Sequence, residues 1–433
     1  MKIMNYAKAF CLICLCLSLS CASDQDKHEL PIVNIKGEKI ANLDPKKLTD
    51  TAQIKLSQIA DNIEVITLET KDESLFMSTR FIVGNEYILA MRGNQFYQFT
   101  SEGKFVRIIA KRGRGAGEIP SMGKNISYHI NEKLDLLILT AGDHIYLLKL
   151  SSGELIDRKD LPDFASLKEV RAITMTSADS LFIYSYFSRG AKGDSLCSGV
   201  VVQDWNNNIL WQKKFNYLTW SIDPPPFNYE LLHGSDISVV DTDNPREFIF
   251  QVDNHDTCYV FNLKNFSLQP YLLRRTIGVL KDKYPIDRIS QGCYTIAQEF
   301  NRTNGIHIMR MQLLTKFVDI NNMDDYVYNI FYDDNNKTAI NIYSFENDYF
   351  GFIHRYNGLN KARSCYPELV APYGKLLIVY EASEFLKFAN QTLKKPDLSK
   401  EIRDRINSLT DSLTETSNPV LLIGDLKKNI KLE

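Results

Sequence analysis

The stretch from Tyr87 to Pro120, YILAMRGNQFYQFTSEGKFVRIIAKRGRGAGEIP, consists of three short runs of β-branched and aromatic residues separated by turns. Arg92-Gly93-Asn94 supplies the first turn, because Gly and Asn accept the positive φ that a tight hairpin needs. Ser101-Glu102-Gly103-Lys104 supplies the second. Connections this short join antiparallel neighbours only, so the stretch predicts a meander. A lone meander has apolar faces and too little chain to cover them. It must therefore belong to a stacked series.

Gly113, Gly115 and Gly117 lead out of the third strand. A nucleotide P-loop would need Lys-Ser/Thr after the last glycine, at the start of a helix. Glu118-Ile119-Pro120 stands there instead, so the glycines are read as a connection between repeats.

Echoes of the unit follow along the chain. The second comprises Ile126 to Ile130, Leu134 to Leu139, His144 to Leu150 and Glu154 to Arg158. The third runs from Val170 to Lys214. The fourth is DISVVDT, EFIFQV, DTCYVFNL and SLQPYLLRRT, and the fifth IHIMRMQ, TKFVDI, YVYNIFYD and TAINIYSF. A sixth begins near Tyr349 and includes Lys375 to Tyr380. The units exceed the commonest blade repeat of about 40 to 50 residues, so they carry insertions. Ala382 to Ala389 and Leu398 to Leu413 show helical spacing around Pro396, and Ile277 to Lys283 predicts a shorter helix. The expected fold is an all-β, six-bladed β-propeller, with a seven-bladed ring or a pair of β-sandwiches as the alternatives. It closes by pairing the early strand Ile63 to Leu68 with Val420 to Ile423 in the last blade, which leaves no long open edge.

The N-terminus reads as a targeting segment, with Lys2 and Lys8 ahead of the apolar run Ala9 to Leu19. Ser18-Leu19-Ser20-Cys21 resembles a bacterial lipobox, which makes Cys21 the expected lipidation site. Ser23-Asp24-Gln25-Asp26 resembles an acidic surface-export signal. The expected layout is a signal peptide over 1–21, a flexible tether over 22–50 and the propeller over 51–433. The expected location is the outer membrane, lipid-anchored through Cys21 and surface-exposed, with the periplasmic face as the alternative.

EVITLET (Glu64 to Thr70), YILAM, FYQFTSEGKFVRII and KRGRGAGEI together resemble the six-bladed β-propeller lipoproteins of Bacteroidetes, relatives of NHL-repeat propellers. DNHDTCYVF (Asp253 to Phe261) resembles a recurring strand of that group, and SNPVLLIGDLKK (Ser417 to Lys428) its closing strand. Ala116 stands where the group has proline. The resemblance implies the fold and a surface location, and it transfers no catalytic residue.

The net charge of −2, with no long basic run, argues against a nucleic-acid partner. Cys197, Cys258, Cys293 and Cys365 lie far apart without a CxxC pair, so their spacing makes no zinc site. Gly193-Asp194-Ser195-Leu196 spells the start of a GDSL hydrolase motif, but it lies mid-chain in a hairpin region without the Asp-x-x-His partner. His129, His144, His233, His255, His307 and His354 form no HxH or HExxH, and are expected at the surface or satisfied in the core. No cofactor is predicted, although scattered ligands for a divalent metal in the central channel would leave no local signature. Asp241 to Asn244 and Asp333 to Asn336 read as hairpin turns, lacking the glycine and glutamate of an EF-hand.

Trp220 to Glu230, WSIDPPPFNYE, is too long for a bare connection and displays Trp220, Phe227 and Tyr229 beside Asp223. These four are the candidate ligand-binding residues, since long loops on rigid scaffolds carry binding. The expected function is a binding or assembly module for a glycan, peptide or envelope protein. The alternative is a metal-dependent hydrolase or lyase working at the channel mouth.

Overall fold

The computed structural model describes residues 29–430 other than 36, 45–47, 49–50, 76–79, 94, 116, 121–125, 163–168, 177–179, 189–196, 217–236, 243, 253–256, 275–292, 304, 316–326, 356–366, 371–372 and 429. The described chain begins with β1 (Ile32–Ile35), β2 (Glu38–Leu43) and β3 (Thr51–Lys55), one helical turn α1 (Leu56–Ile59), and β4 (Ala60–Thr67). Blade 1 is β5 (Arg80–Val83), β6 (Tyr87–Arg92), β7 (Gln95–Thr100) and β8 (Phe105–Lys111). Blade 2 is β9 (Ser127–Asn131), β10 (Leu136–Ala141), β11 (His144–Lys149) and β12 (Leu155–Asp160). Blade 3 is β13 (Glu169–Met175), β14 (Phe182–Ser188), β15 (Cys197–Gln203) and β16 (Ile209–Asn216). Blade 4 has β17 (Ile237–Asp241), β18 (Glu247–Val252), β19 (Thr257–Asn262) and β20 (Ser267–Arg274). Blade 5 has β21 (Cys293–Thr303), β22 (Ile306–Thr315), β23 (Val327–Asp333), β24 (Thr338–Asn347) and β25 (Phe352–Arg355). Blade 6 joins β26 (Glu368–Val370), β27 (Lys375–Tyr380) and β28 (Val420–Leu426) to β4, with α2 (Ala382–Thr392) and α3 (Lys400–Thr410) between β27 and β28. The protein is a six-bladed β-propeller.

Period-two alternation explains how the blades stack. In β10, Leu137 and Leu139 pack with blade 1, whereas Leu136 and Ile138 pack with blade 3. In blade 6, Leu376 and Ile378 face blade 5, while Leu377 faces blade 1. A strand apolar on both faces needs a sheet on either side, and a ring supplies one to every blade. The buried apolar residues accordingly fall into clusters that each bridge two adjacent blades.

Polar contacts register the seams. Gln98 Nε2 donates to Leu150 O across blades 1 and 2, and Ser127 Oγ to Val170 O across blades 2 and 3. Trp211 packs at 4.3 Å from Phe261 across blades 3 and 4. The Tyr271 hydroxyl meets His307 Nε2 at 2.8 Å across blades 4 and 5. Between blades 6 and 1, Glu69 N–H donates to Gly103 O and its carboxylate accepts from Phe105 N–H. The Phe105 amide, followed by Lys71, holds the Glu69 carboxyl below its usual range. Gly103 has φ +86°, and a Cβ there would lie 2.7 Å from Thr67 O, so glycine is required for this approach.

The closure pairs β28 with β4 antiparallel, Leu421 opposite Ile66 and Leu422 opposite Val65. Asn418, fully buried just before β28, donates from Nδ2 to Glu69 O and Ser74 O.

Two assignments differ from the sequence reading. The second half of the 22–50 stretch, expected to be a tether, forms β1 and β2, and β2 lies parallel along the outer edge of β20. Leu30, Ala41 and Leu43 are buried between blades 4 and 5. Farther on, β3 pairs parallel with β24 from Asn341 to Glu346. Ser344 to Glu346 also pair with β25, so β3 and β25 occupy opposite edges of β24. The described residues from Glu29 to Thr67 thus form a strap over the rims of blades 4 and 5 that continues into blade 6. The second difference concerns blade 5. Its innermost strand is Cys293–Thr303 rather than IHIMRMQ, and Phe352–Arg355, next to Tyr349, stays in its sheet, so blade 6 starts at Glu368. The expected helix at Ile277 to Lys283 and most of TKFVDI lie outside the described residues.

The C-terminal helices cover the seam between blades 5 and 6. Phe385, Ala389 and Ile406 are buried in it, and the Ser399 hydroxyl caps α3 by accepting from Ile402 N–H. Beneath α2, His354 is 4% exposed and stacks on Phe345. The Tyr380 hydroxyl accepts from Asn347 Nδ2 and lies 2.9 Å from His354 Nε2. Burial pushes the His354 imidazole down to about 4, so it is neutral in the fold and Nε2 accepts from Tyr380. Unfolding restores an ordinary imidazole, which takes up a proton below about 6.5. His354 therefore contributes fully above that pH, and its contribution falls as pH drops toward 4. The loss is about 3 kcal/mol by linkage. His354→Phe should flatten this limb of a stability-versus-pH curve measured by urea unfolding. A limb as steep in the variant as in the wild type would contradict the assignment.

Candidate functional site

The innermost strands of blades 2, 3, 4, 5 and 6 pack side by side in succession around the ring axis. Those of blades 1, 2, 3, 4 and 6 run toward the same end, and the residues after them gather there: Asn85 after β5, Glu132 after β9, Thr176 after β13, Asn244 after β17 and Tyr373 after β26. They line a recess of about 360 Å³, with His129, Lys133 and Phe248 completing the wall.

Its framework is fixed by hydrogen bonds within and between blades. The Glu132 carboxylate accepts from Asn85 N–H and Glu86 N–H, both at 2.9 Å. Gly84 makes this clasp possible, because a Cβ would sit 2.1 Å from Glu132 Oε1. Asn131 accepts from Leu134 N–H and donates to Met175 O in blade 3. Thr242 Oγ1 bonds the carbonyls of Asn244 and Glu247. The Glu247 carboxylate in turn accepts from Asn262. These groups hold turns in place. Asn85 and Lys133 are exposed on the rim, whereas His129 and Tyr373 are half-buried, the His129 ring 3.3 Å from the Thr174 hydroxyl. The result is a rigid recess with amide, amine, imidazole and phenol groups around an apolar patch from Met175 and Phe248. That composition suits a neutral or weakly polar ligand held by hydrogen bonds and one apolar contact.

Tyr128, Arg80 and Glu368 come together at the far end of the channel. Burial pushes the Tyr128 phenol up, partly offset by the Arg80 guanidinium beside it, and Glu368 adds to the rise. These three come from the first strands of blades 2, 1 and 6.

The sequence-predicted site residues Cys21, Trp220, Asp223, Phe227 and Tyr229 lie outside the described residues, as do Gly193 to Leu196, His233, His255 and Cys365. The stretch from Trp220 to Tyr229 leads into β17, which enters the channel from the end opposite the recess. His307 and His354 are buried beside tyrosines, and His144 bonds Asp160 at 2.9 Å. Cys258 is buried in the seam between blades 4 and 5. Asp333 accepts from the backbone amides of Asn335 and Asn336, and Thr242 closes the turn after β17, so both acidic stretches are hairpin turns. Among the described residues, no three His, Cys, Asp or Glu side chains gather into a metal-holding group. The recess escaped sequence reading because its residues are single turn positions from separate blades. The turns at Asn131-Glu132 and Asp241 to Asn244 were visible in the sequence, but nothing there shows that they meet.

A solved structure shares this architecture. A candidate exported protein of Bacteroides fragilis NCTC 9343 is 13% identical, with a TM-score of 0.57 over 89% of this chain and 99% of that one. A member of the DUF4221 family from Bacteroides vulgatus ATCC 8482 is 11% identical, with a TM-score of 0.41 over 94% of this chain and 100% of its own. At such identities the likeness concerns the fold. No curated protein matches the chain. The family described as a domain of unknown function, DUF4934, matches residues 38–425, from the first residue of β2 to the last blade, and the chain belongs to that family.

Proposed function

We propose that this protein is a lipid-anchored module of the outer membrane, displayed at the cell surface, that binds a glycan, peptide or envelope protein in the channel recess. The observation that carries this reading is the recess itself. Its walls come from five blades, and its framework carboxylates and amides are already engaged in holding turns. A site so pre-organised loses little freedom on binding. The lipobox-like Ser18-Leu19-Ser20-Cys21 and the exported label of the Bacteroides fragilis neighbour support the location. Among the described residues, no helix is long and apolar enough to cross a membrane. Trp220, Asp223, Phe227 and Tyr229 are proposed as a second contact.

A glycan and peptide array probed with the full chain tests the reading. A His129→Ala, Lys133→Ala double variant should weaken binding of any hit by about tenfold, the loss of one or two good hydrogen bonds. A hit bound equally by the double variant would remove the recess as the site. Trp220→Ala tests the loop separately. Elemental analysis showing stoichiometric metal that a chelator removes would redirect the reading to a metal-dependent hydrolase or lyase.

A further inference from the structure

We propose that blade 1 carries a second site, at the end opposite the recess, for the carboxylate or sulfate groups of an acidic polysaccharide. The strand register builds it. Arg92 pairs with Gln95 across the β6–β7 turn, and Gln95 pairs with Lys111 at the end of β8. Arg112 is the next residue. Arg92, Gly93, Gln95, Tyr97 and Arg112 line a cleft of about 430 Å³ there.

Its chemistry is one-sided. Arg92 Nη1 donates to Leu75 O at 3.0 Å, which steadies the guanidinium and leaves its other N–H groups available. The Tyr97 hydroxyl donates to Gln95 Oε1 at 2.6 Å, so the Gln95 carboxamide is oriented with its nitrogen left to donate. The connection after Arg112 holds one carboxylate, Glu118, and that is already engaged. It accepts from Gly115 N–H at 2.8 Å and pairs with Lys111 Nζ at 2.9 Å. The Gly115 amide, then Lys111, keep its carboxyl below the usual range, so it stays ionised in that role. Neither Arg92 nor Arg112 forms an ion pair with any described residue. Two uncompensated guanidinium groups beside an amide donor form a receptor for oxyanions, which a planar guanidinium binds bidentately. Tyr97 is only 5% exposed, so the cleft offers little apolar surface to the side chains of a peptide. A chain of hydroxyls bearing carboxylates or sulfates matches what is presented.

The test measures binding of the full chain to polygalacturonate and to dextran sulfate, with neutral dextran and polyglutamate as comparators. Either acidic polysaccharide should bind, and added salt should weaken it. An Arg92→Gln, Arg112→Gln double variant should lose about tenfold or more in affinity. Both side chains are exposed, so the thermal midpoint should hold. Arg112→Gln alone, which leaves the Leu75 contact intact, should show a smaller loss of the same kind. Carboxylate and sulfate arms identify which oxyanion is preferred. Undiminished binding by the double variant, binding of neither acidic polysaccharide, or polyglutamate bound as tightly as the glycans would each overturn the proposal.

Discussion

Leu30→Ala combined with Leu43→Ala is expected to lower the stability of the propeller by about 6 kcal/mol, the sum of two buried large-to-small changes of about 3 kcal/mol each. Both leucines lie in the cluster between blades 4 and 5, Leu30 8% exposed and Leu43 fully buried. Leu43 sits at the end of β2, opposite Arg274 of β20, in a parallel pairing that has no turn of its own to hold it. Its position depends on burial. The two changes should therefore detach the strap as well as leave cavities. Urea unfolding should show the lowered midpoint, and hydrogen exchange should show lost protection along Leu272 to Arg274. If the segment were an ornament on a self-sufficient ring, the variant would unfold at the wild-type midpoint, and that result would reject the strap's structural role.

Leu422→Pro should be at least as damaging as a single core truncation, at about 3 kcal/mol or more. β28 is an interior strand of blade 6, with Leu422 opposite Ile378 on one side and Val65 on the other. Proline removes a ladder donor where no edge is free to accommodate the loss. Leu422 is also buried in the seam with blade 5. The specific signature is release of β4, so protease cleavage within residues 60–67 should appear in native buffer. Leu422→Ala is the comparator, because it empties a cavity of about 2–5 kcal/mol but keeps the backbone pairing. Equal protease resistance in both variants would mean that β4 is not what closes the ring.

The blades and their closure could be read from the sequence because the information is local. Phe96 to Phe99, Leu134 to Leu139 and Val420 to Ile423 are apolar runs between turn residues, and apolarity on both faces demands neighbours. The strap could not be read in the same way. IVNI and EKIANL are short and interrupted by polar residues, and the partner of β2 is a distant strand in parallel register. A local clue did exist. Gly37 N–H donates to Asn34 Oδ1, the turn of a hairpin lying between Pro31 and Pro45. The innermost strand of blade 5, CYTIAQEFNRT, carries no clear strand signal because its polar residues interrupt the apolar run that marks other strands. The candidate sites depend on convergence. Glu132 could be read as part of a turn, but its hold on the amides of Asn85 and Glu86 exists only once blades 1 and 2 meet. Arg92 and Arg112 were visible as charges, and the β7 hairpin brings them to one cleft.

The strap also dictates an order of assembly. Synthesis delivers β2, β3 and β4 before any blade, yet their partners are β20, β24 and β28, among the last strands to be made. Until those arrive, three strands with unsatisfied backbone edges must wait, the condition under which nascent chains mispair or recruit a holding chaperone. The ring locks only when its final strand is available, so a chain truncated before residue 420 leaves β4 without its partner.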